Sequence, residues 1–333
     1  MSGTSLNKDE KELLNDTKPF GFILFSRNIE SIWQLKKLIK DLRAIVKWEC
    51  PILIDQEGGR VQRLVKPNAL SYPPSSLFGN IAKFNLKDAE KAVFLNYKLI
   101  GNDLINIGIN TNCAPCIDLT SKLTHSVIGD RAFSSNEKIV ARLGQQACKG
   151  LLTLGVIPII KHIPGHGRAV SDSHKVLPII RDKIYFLNNK DFYPFKYLCN
   201  MPIAMTAHII YADIDNKYPI SISKKAYNFI RDEIKFKGII VSDDIGMKAL
   251  SGSIEEKINN INDAGYDIVL HCSGKIKEIK RVLLCSPKID KDVIRKWSVI
   301  IKNNKSIKIK NTQLIKSTIN KILKENLNTK WNF

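Results

Sequence analysis

Between Ile157 and Pro178 the chain reads IPIIKHIPGHGRAVSDSHKVLP, an apolar run that ends in Lys161 and His162 and hands over to a loop carrying His166, Asp172 and His174. Half of the six histidines fall in this stretch. Asp172 and His174 are two residues apart, and in an extended loop such residues project to the same side. The carboxylate can then raise the imidazole pKa or fix its tautomer, which makes an acid–base unit. An exposed histidine beside an N-capping aspartate is the alternative reading of the same spacing.

Other groups of catalytic type sit where apolar runs end. GIIV at 238–241 is followed by Ser242, Asp243 and Asp244. A helix cap would explain one of these carboxylates, and a general base, metal ligand or nucleophile the other. PILID at 51–55 ends in Asp55, with Arg60 and Arg63 around the Gly58-Gly59 turn. A carboxylate among arginines is either a structural ion pair or a set of bidentate groups for adjacent hydroxyls. Lys161, His162 and Arg131 add donors, and no GxGxxG or Walker pattern accompanies them. A neutral or acidic sugar-like ligand fits this set better than a nucleotide.

The elements that must position these groups alternate. Apolar strand candidates lie at 21–25, 51–55, near 108–115, and at 157–162, 203–206, 238–241 and 267–271. Helical patterns lie between most of them: 6–14, about 32–46, 86–104, 134–154 opened by a Ser134/Glu137 capping pattern, 223–234, and one from Ser253/Glu256 to about 264. Residues 65–81 and 117–133 read as loops. The polar groups Asp55, Arg131, Lys161, His208 and Asp243 come from many units, which is how a barrel collects one site from the tops of different strands. The fold expected is therefore α/β, a (β/α)₈ TIM-type barrel over residues 1–285 that is one strand short of eight. Residues 286–333 are expected to form a basic helical C-terminal extension packed on or trailing the barrel.

Composition bounds the rest. The 333 residues, 44% of them apolar, can bury a substantial core, and no apolar run approaches the length of a membrane span. The amino terminus has no apolar stretch of signal-peptide type. Seven cysteines at irregular spacing read as reduced and structural; Cys113 and Cys116 have no second pair with which to make a zinc site. The net charge of +20 comes from lysines spread along the whole chain, so weak attraction to polyanions is expected, but no specific nucleic-acid site and no membrane binding.

Six long stretches resemble the family 3 glycoside hydrolases, and within them the bacterial β-N-acetylhexosaminidases of the NagZ type. They are GFILFSRNIES at 21–31, LIDQEGGRVQRL at 53–64, IGDRAFSS at 128–135, KHIPGHGRAVSDSHKVLP at 161–178, MTAHIIYADID at 205–215 and SDDIGM at 242–247. The resemblance implies that Asp243 is the nucleophile of a retaining, covalent mechanism. It implies that His174, supported by Asp172, is the general acid/base, where the usual scheme has two carboxylates. It also implies that Asp55, Arg63, Arg131, Lys161 and His162 bind the non-reducing N-acetylglucosamine, that the loop over 163–174 moves, and that no cofactor or metal is needed. Arg60 is expected to support the loop. The implied substrate is a muropeptide fragment bearing N-acetylglucosamine β-1,4-linked to anhydro-N-acetylmuramic acid, hydrolysed in the cytoplasm by a monomer during peptidoglycan recycling. A β-glucosidase-like specificity and a catalytically inactive sugar-binding barrel are the competing expectations. The chain departs from the family at its start, where Met1 stands at the position in which a first barrel strand should be ending.

Overall fold

The computed structural model describes residues 1–121, 124–169, 171–173, 175–303 and 309–333. Seven strands form one parallel sheet in chain order: β1 (Phe22–Leu24), β2 (Ile52–Ile54), β3 (Thr111–Asn112), β4 (Ile157–Ile163), β5 (Ile203–Thr206), β6 (Ile239–Asp244) and β7 (Ile268–Leu270). Twelve α-helices are described: α1 (Lys8–Thr17), α2 (Ile32–Val46), α3 (Ser75–Ala82), α4 (Leu86–Ile107), α5 (Glu137–Thr153), α6 (Ile184–Asn188), α7 (Tyr193–Tyr197), α8 (Lys224–Asp232), α9 (Ile254–Ala264), α10 (Ile276–Cys285), α11 (Lys291–Asn303) and α12 (Thr312–Leu327). Helices thus separate all the consecutive strands, giving the (β/α)₈-type architecture. Its strand tops, the carboxyl ends, form one rim.

Side-chain alternation divides the core into two layers. Leu53, Ile157, Ile159, Ile203, Ile239 and Val241 point into the curl of the sheet and pack on one another. Their neighbours Ile52, Ile54, Ile160, Ala204 and Ile240 join the outer layer with the helices, including Leu35, Leu38 and Leu42 of α2. Because both faces of these short strands are covered, the strands read as continuous apolar runs instead of alternating ones.

The sheet does not close: β1 and β7 are its edges and are not paired with each other among the described residues. A cavity of about 1380 Å³ lies along this seam, lined by Phe22 and Ile23 on one side, Ile268 and Leu270 on the other, with Leu14 and Ile279 from the flanking helices. The end of the curl away from the rim is stopped by α11. Val293 and Trp297 are buried against the inner layer, and the Trp297 indole N–H donates to the Glu49 carbonyl at 3.2 Å. Phe20 lies between Trp48 and Trp297, with ring centroids 5.3 and 5.8 Å away. Helix α12 buries Ile319, Ile322 and Leu323 in the outer layer, and the last residues return to the barrel through Trp331, whose indole donates to the Ser71 carbonyl at 2.8 Å.

Two local readings of the sequence are corrected. Helix α3 forms inside the stretch that its proline and serine content marks as loop. It buries Phe78 and Ile81, and Gly79 approaches so closely that a Cβ would sit 1.5 Å from the Phe133 carbonyl oxygen. The N-cap of α5 is Asn136, not Ser134: its side-chain oxygen accepts from the Lys138 and Ile139 amides, while the Ser134 hydroxyl accepts from the Asn136 amide. The Ser253/Glu256 capping box forms as its spacing indicates. All seven cysteines are free, and no helix among the described residues is long and apolar enough to cross a membrane.

Candidate active site

The rim brings together groups far apart in sequence. Asp55 follows β2, and Lys161 lies near the end of β4. Lys161 Nζ is 2.9 Å from Asp55 Oδ1 and 2.7 Å from Glu57 Oε1. Arg63 Nη2 is 3.0 Å from Asp55 Oδ2. Arg131 grips Glu57 with two bonds, Nε to Oε2 at 2.9 Å and Nη2 to Oε1 at 2.8 Å, and also donates to the Val127 carbonyl. Three cations and two anions therefore form one network. Burial alone would favour the neutral acids, but the adjacent cations outweigh it. They hold the Asp55 carboxyl far below its ordinary range and Glu57 at about 2. Lys161 is correspondingly held above its ordinary value by the two carboxylates despite burial.

Local structure explains the approach. After β2 the chain forms a ribbon of Gln56–Gly58 with Val61–Gln62, and the Gln56 side chain ties its two arms by accepting from the Arg63 and Leu64 amides. The turn between them needs glycine. Gly58 has φ +108°, and a Cβ there would lie 2.3 Å from the Pro73 carbonyl oxygen. Arg60 points away from the network, binding Asp130 at 2.9 Å and the carbonyls of Ser126 and Val127. It holds the loop that presents Arg131.

A second hub is Asp118, which is fully buried. Its Oδ1 accepts from the His162 and His166 amides at 3.2 and 2.7 Å, and its Oδ2 from His162 Nδ1 at 2.7 Å and the Cys116 thiol at 3.3 Å. Despite burial, the histidines and backbone donors hold this carboxyl well below its usual range. A carboxylate is an acceptor only, so the proton of His162 resides on Nδ1 and Nε2 is the nitrogen left for a ligand. Cys116, Asp118 and His162 also lie close enough to suggest a metal triad. The four donors already saturate Asp118, and burial drives the Cys116 pKa far up, keeping the thiol protonated. The group is a hydrogen-bond hub.

At the top of β6 the two acids divide their work. Asp244 Oδ1 accepts from the Gly246 and Cys272 amides at 2.9 and 3.0 Å and shapes the backbone. Among the described residues Asp243 Oδ1 accepts the Asp244 amide, at 2.8 Å. Burial opposes its ionisation, but His208, His162, Lys161 and that amide outweigh it and hold its pKa below the ordinary value. His208 is buried, with Nε2 3.0 Å from the Asp244 carbonyl and Nδ1 2.7 Å from the Ser221 hydroxyl. A carbonyl accepts only, so Nε2 carries a hydrogen and donates it there.

The loop after β4 is pinned at its start. Gly165 O accepts the Tyr211 hydroxyl at 2.9 Å, and Gly167 O accepts the Thr124 hydroxyl at 2.6 Å. Asp172 lies farther along, where the Lys175 and Val176 amides both donate to its carbonyl. The backbone leaving Asp172 thus turns. His174 lies outside the described residues. The network so assembled joins Asp55, Arg63, Arg131 and Lys161, with His162 on the adjoining hub and Asp243 facing both. The sequence reading left out Glu57 and Asp118. The signal was present: each sits two residues after another polar group of the site, Asp55 and Cys116 respectively, and so on the same side of an extended segment.

Comparison with known proteins places the chain among sugar hydrolases. Residues 1–294 match the model for the glycosyl hydrolase family 3 N-terminal domain. A beta-hexosaminidase of Neisseria meningitidis serogroup B is 36% identical over 274 residues, covering 80% of this chain and 75% of that protein. The crystal structure of native NagZ from Neisseria gonorrhoeae superposes with a TM-score of 0.87 at 30% identity, covering 97% of this chain and 96% of that one. The same protein in complex with N-trifluoroacetyl-D-glucosamine gives 0.85 at 30% identity, covering 97% and 95%.

Proposed function

Because the chain belongs to glycosyl hydrolase family 3, we propose the following division of labour for its site. The protein is a glycoside hydrolase, a β-N-acetylglucosaminidase of the beta-hexosaminidase group. Asp243 attacks the anomeric carbon and His174, assisted by Asp172, protonates the departing glycosidic oxygen. His174 then takes a proton from water as that water cleaves the glycosyl–Asp243 ester, so configuration is retained. Asp55, Arg63, Arg131, Lys161 and His162 hold the terminal sugar. The observation that carries this reading is Asp243, which is kept ionised on the rim beside a fixed network of cations, as a nucleophile must be. Fixed donors of this kind need no reorganisation when charge develops.

The substrate we assign is a muropeptide fragment ending in β-1,4-linked N-acetylglucosamine, hydrolysed in the cytoplasm during peptidoglycan recycling by the monomer. Seven free cysteines support a reducing compartment. Hydrolysis of a 4-nitrophenyl N-acetylglucosaminide should greatly exceed that of the matching glucoside. Asp243→Ala should abolish it with the fold intact. His174→Ala should cut kcat/KM far more for an alkyl or sugar leaving group than for 4-nitrophenolate, and equal losses would refute the acid role. No turnover of either glycoside by folded protein would refute the hydrolase.

A further inference from the structure

The His166 side chain has no part in the chemistry described so far. It is buried, with its backbone N–H bonded to Asp118 Oδ1 at 2.7 Å and its ring edge-on to His162 at 5.5 Å between centroids. Its Nε2 lies 2.9 Å from the hydroxyl of Ser173, the residue between Asp172 and His174. Ser173 is buried too, whereas its described neighbours Ser171, Asp172, Lys175, Val176 and Leu177 are partly or fully exposed. Among the described residues the loop is thus held at its base through Gly165, His166 and Gly167, farther on through Arg168, whose Nε donates to Asp191 Oδ2 at 2.6 Å, and beyond that through the His166–Ser173 side-chain pair.

We propose that His166 is a positioning residue for the acid/base, holding the turn that carries Asp172 over the site through Ser173. The inference rests on the acid/base role assigned to Asp172 and His174. Because the anchor of His166 is Asp118, the carboxylate that also fixes the tautomer of His162, the sugar-holding hub and the acid/base turn share one point of attachment. Burial holds the His166 pKa at about 4, so the ring is neutral at working pH and the tie to Ser173 is an uncharged hydrogen bond. A bond of that kind changes the ratio of docked to undocked turn by roughly 2- to 12-fold, enough to hold it and weak enough to let it leave.

The experiment compares kcat/KM for 4-nitrophenyl and alkyl N-acetylglucosaminides in Ser173→Ala, His166→Ala, the double variant, Ser173→Thr and His174→Ala. Ser173→Ala removes only a hydroxyl and is the arm in which folding is safest. The expected result is a loss of roughly 2- to 12-fold on the alkyl glycoside, a distinctly smaller loss on the nitrophenyl one, and a double variant no worse than the poorer single. Ser173→Thr, which keeps a hydroxyl, should recover most of the loss. If His174→Ala shows the leaving-group bias while Ser173→Ala and His166→Ala show none, the positioning role is wrong and the acid/base reading stands. If His174→Ala itself shows no bias, the acid/base reading fails, and the positioning role with it.

Discussion

Glu57→Gln is the most searching test of the charge network, because it changes one charge and almost no volume. Glu57 is 2% exposed and accepts three charged bonds, two from Arg131 and one from Lys161. The substitution leaves three cations facing a single anion, Asp55. Breaking a buried pair by removing one partner costs about 3–5 kcal/mol. The displacement of the Glu57 carboxyl from its ordinary 4.5 to about 2 gives an independent figure, roughly 3 kcal/mol, with which that range agrees. For a chain of this length Tm should fall by roughly 4–7 °C. The pH dependence carries the sign. A carboxyl with a depressed pKa contributes its full stability above the unfolded value, and the contribution is lost as pH falls toward the folded one. The gap between wild type and variant, read from urea titrations, should therefore hold from pH 8 to about 5 and narrow by roughly 1–1.5 kcal/mol by pH 3.5. A gap under 1 kcal/mol at pH 7, or one that does not change down to pH 3.5, would refute the reasoning.

Two further outcomes follow from packing and hydrogen bonding. Trp297→Ala should cost about 3–5 kcal/mol in a urea titration and raise binding of an apolar dye, since it unplugs the inner layer at Phe20 and Trp48. A cost below 1 kcal/mol would mean that α11 is not part of the barrel's core. Asp118→Asn sets an amide N–H₂ against donors and should lose about 2–3 kcal/mol of stability. It should also reduce kcat/KM by roughly tenfold or more by freeing the His162 tautomer, which steady-state kinetics at pH 7 will read.

What the sequence revealed tracks how local each constraint is. The strand ends at Asp55, Lys161 and Asp243 were legible because a buried parallel strand is a continuous apolar run, and the polar residue that ends it stands out. Asp244 was legible as one of two acids but not as the one bound to Gly246 and Cys272, because that choice depends on a strand 28 residues away. Glu57 hid because its partners Lys161 and Arg131 are distant in sequence, and a glutamate before Gly-Gly in a turn carries no mark of burial. Asp118 hid for the same reason, in a stretch whose polar composition reads as loop. Helix α3 was missed because Pro73, Pro74 and two serines outweigh an apolar pattern of only three residues. The short supply of strands was visible as a count of seven, and the open seam between β1 and β7 is its structural counterpart.

Donor accounting sharpens the proposed division of labour within the network. Of the three Lys161 N–H groups, two are spent on Asp55 and Glu57. Arg131 is engaged through all three of its nitrogens, by Glu57 and the Val127 carbonyl. Arg63 is engaged through Nη2, and its Nε is buried with no hydrogen-bond partner among the described residues. Asp55, with a side chain 14% exposed, accepts one bond on each oxygen and has lone pairs to spare; Glu57, at 2%, accepts three and faces no solvent. A sugar hydroxyl both donates and accepts, so it needs a site where both capacities remain. Asp55 beside Lys161 and Arg63 has them, and Arg131 keeps two of its five N–H groups, whereas Glu57 has no capacity facing outward. Glu57 is thus the frame that fixes Lys161 and Arg131, and Asp55, Lys161, Arg63 and the remaining N–H groups of Arg131 are the ones that can meet hydroxyls. On this accounting Asp55→Asn, which also removes a carboxylate paired with two cations, should cost stability and in addition raise KM or lower kcat/KM, while Glu57→Gln should act through stability first, so that the two carboxylates, both bound to one lysine, separate in their kinetics.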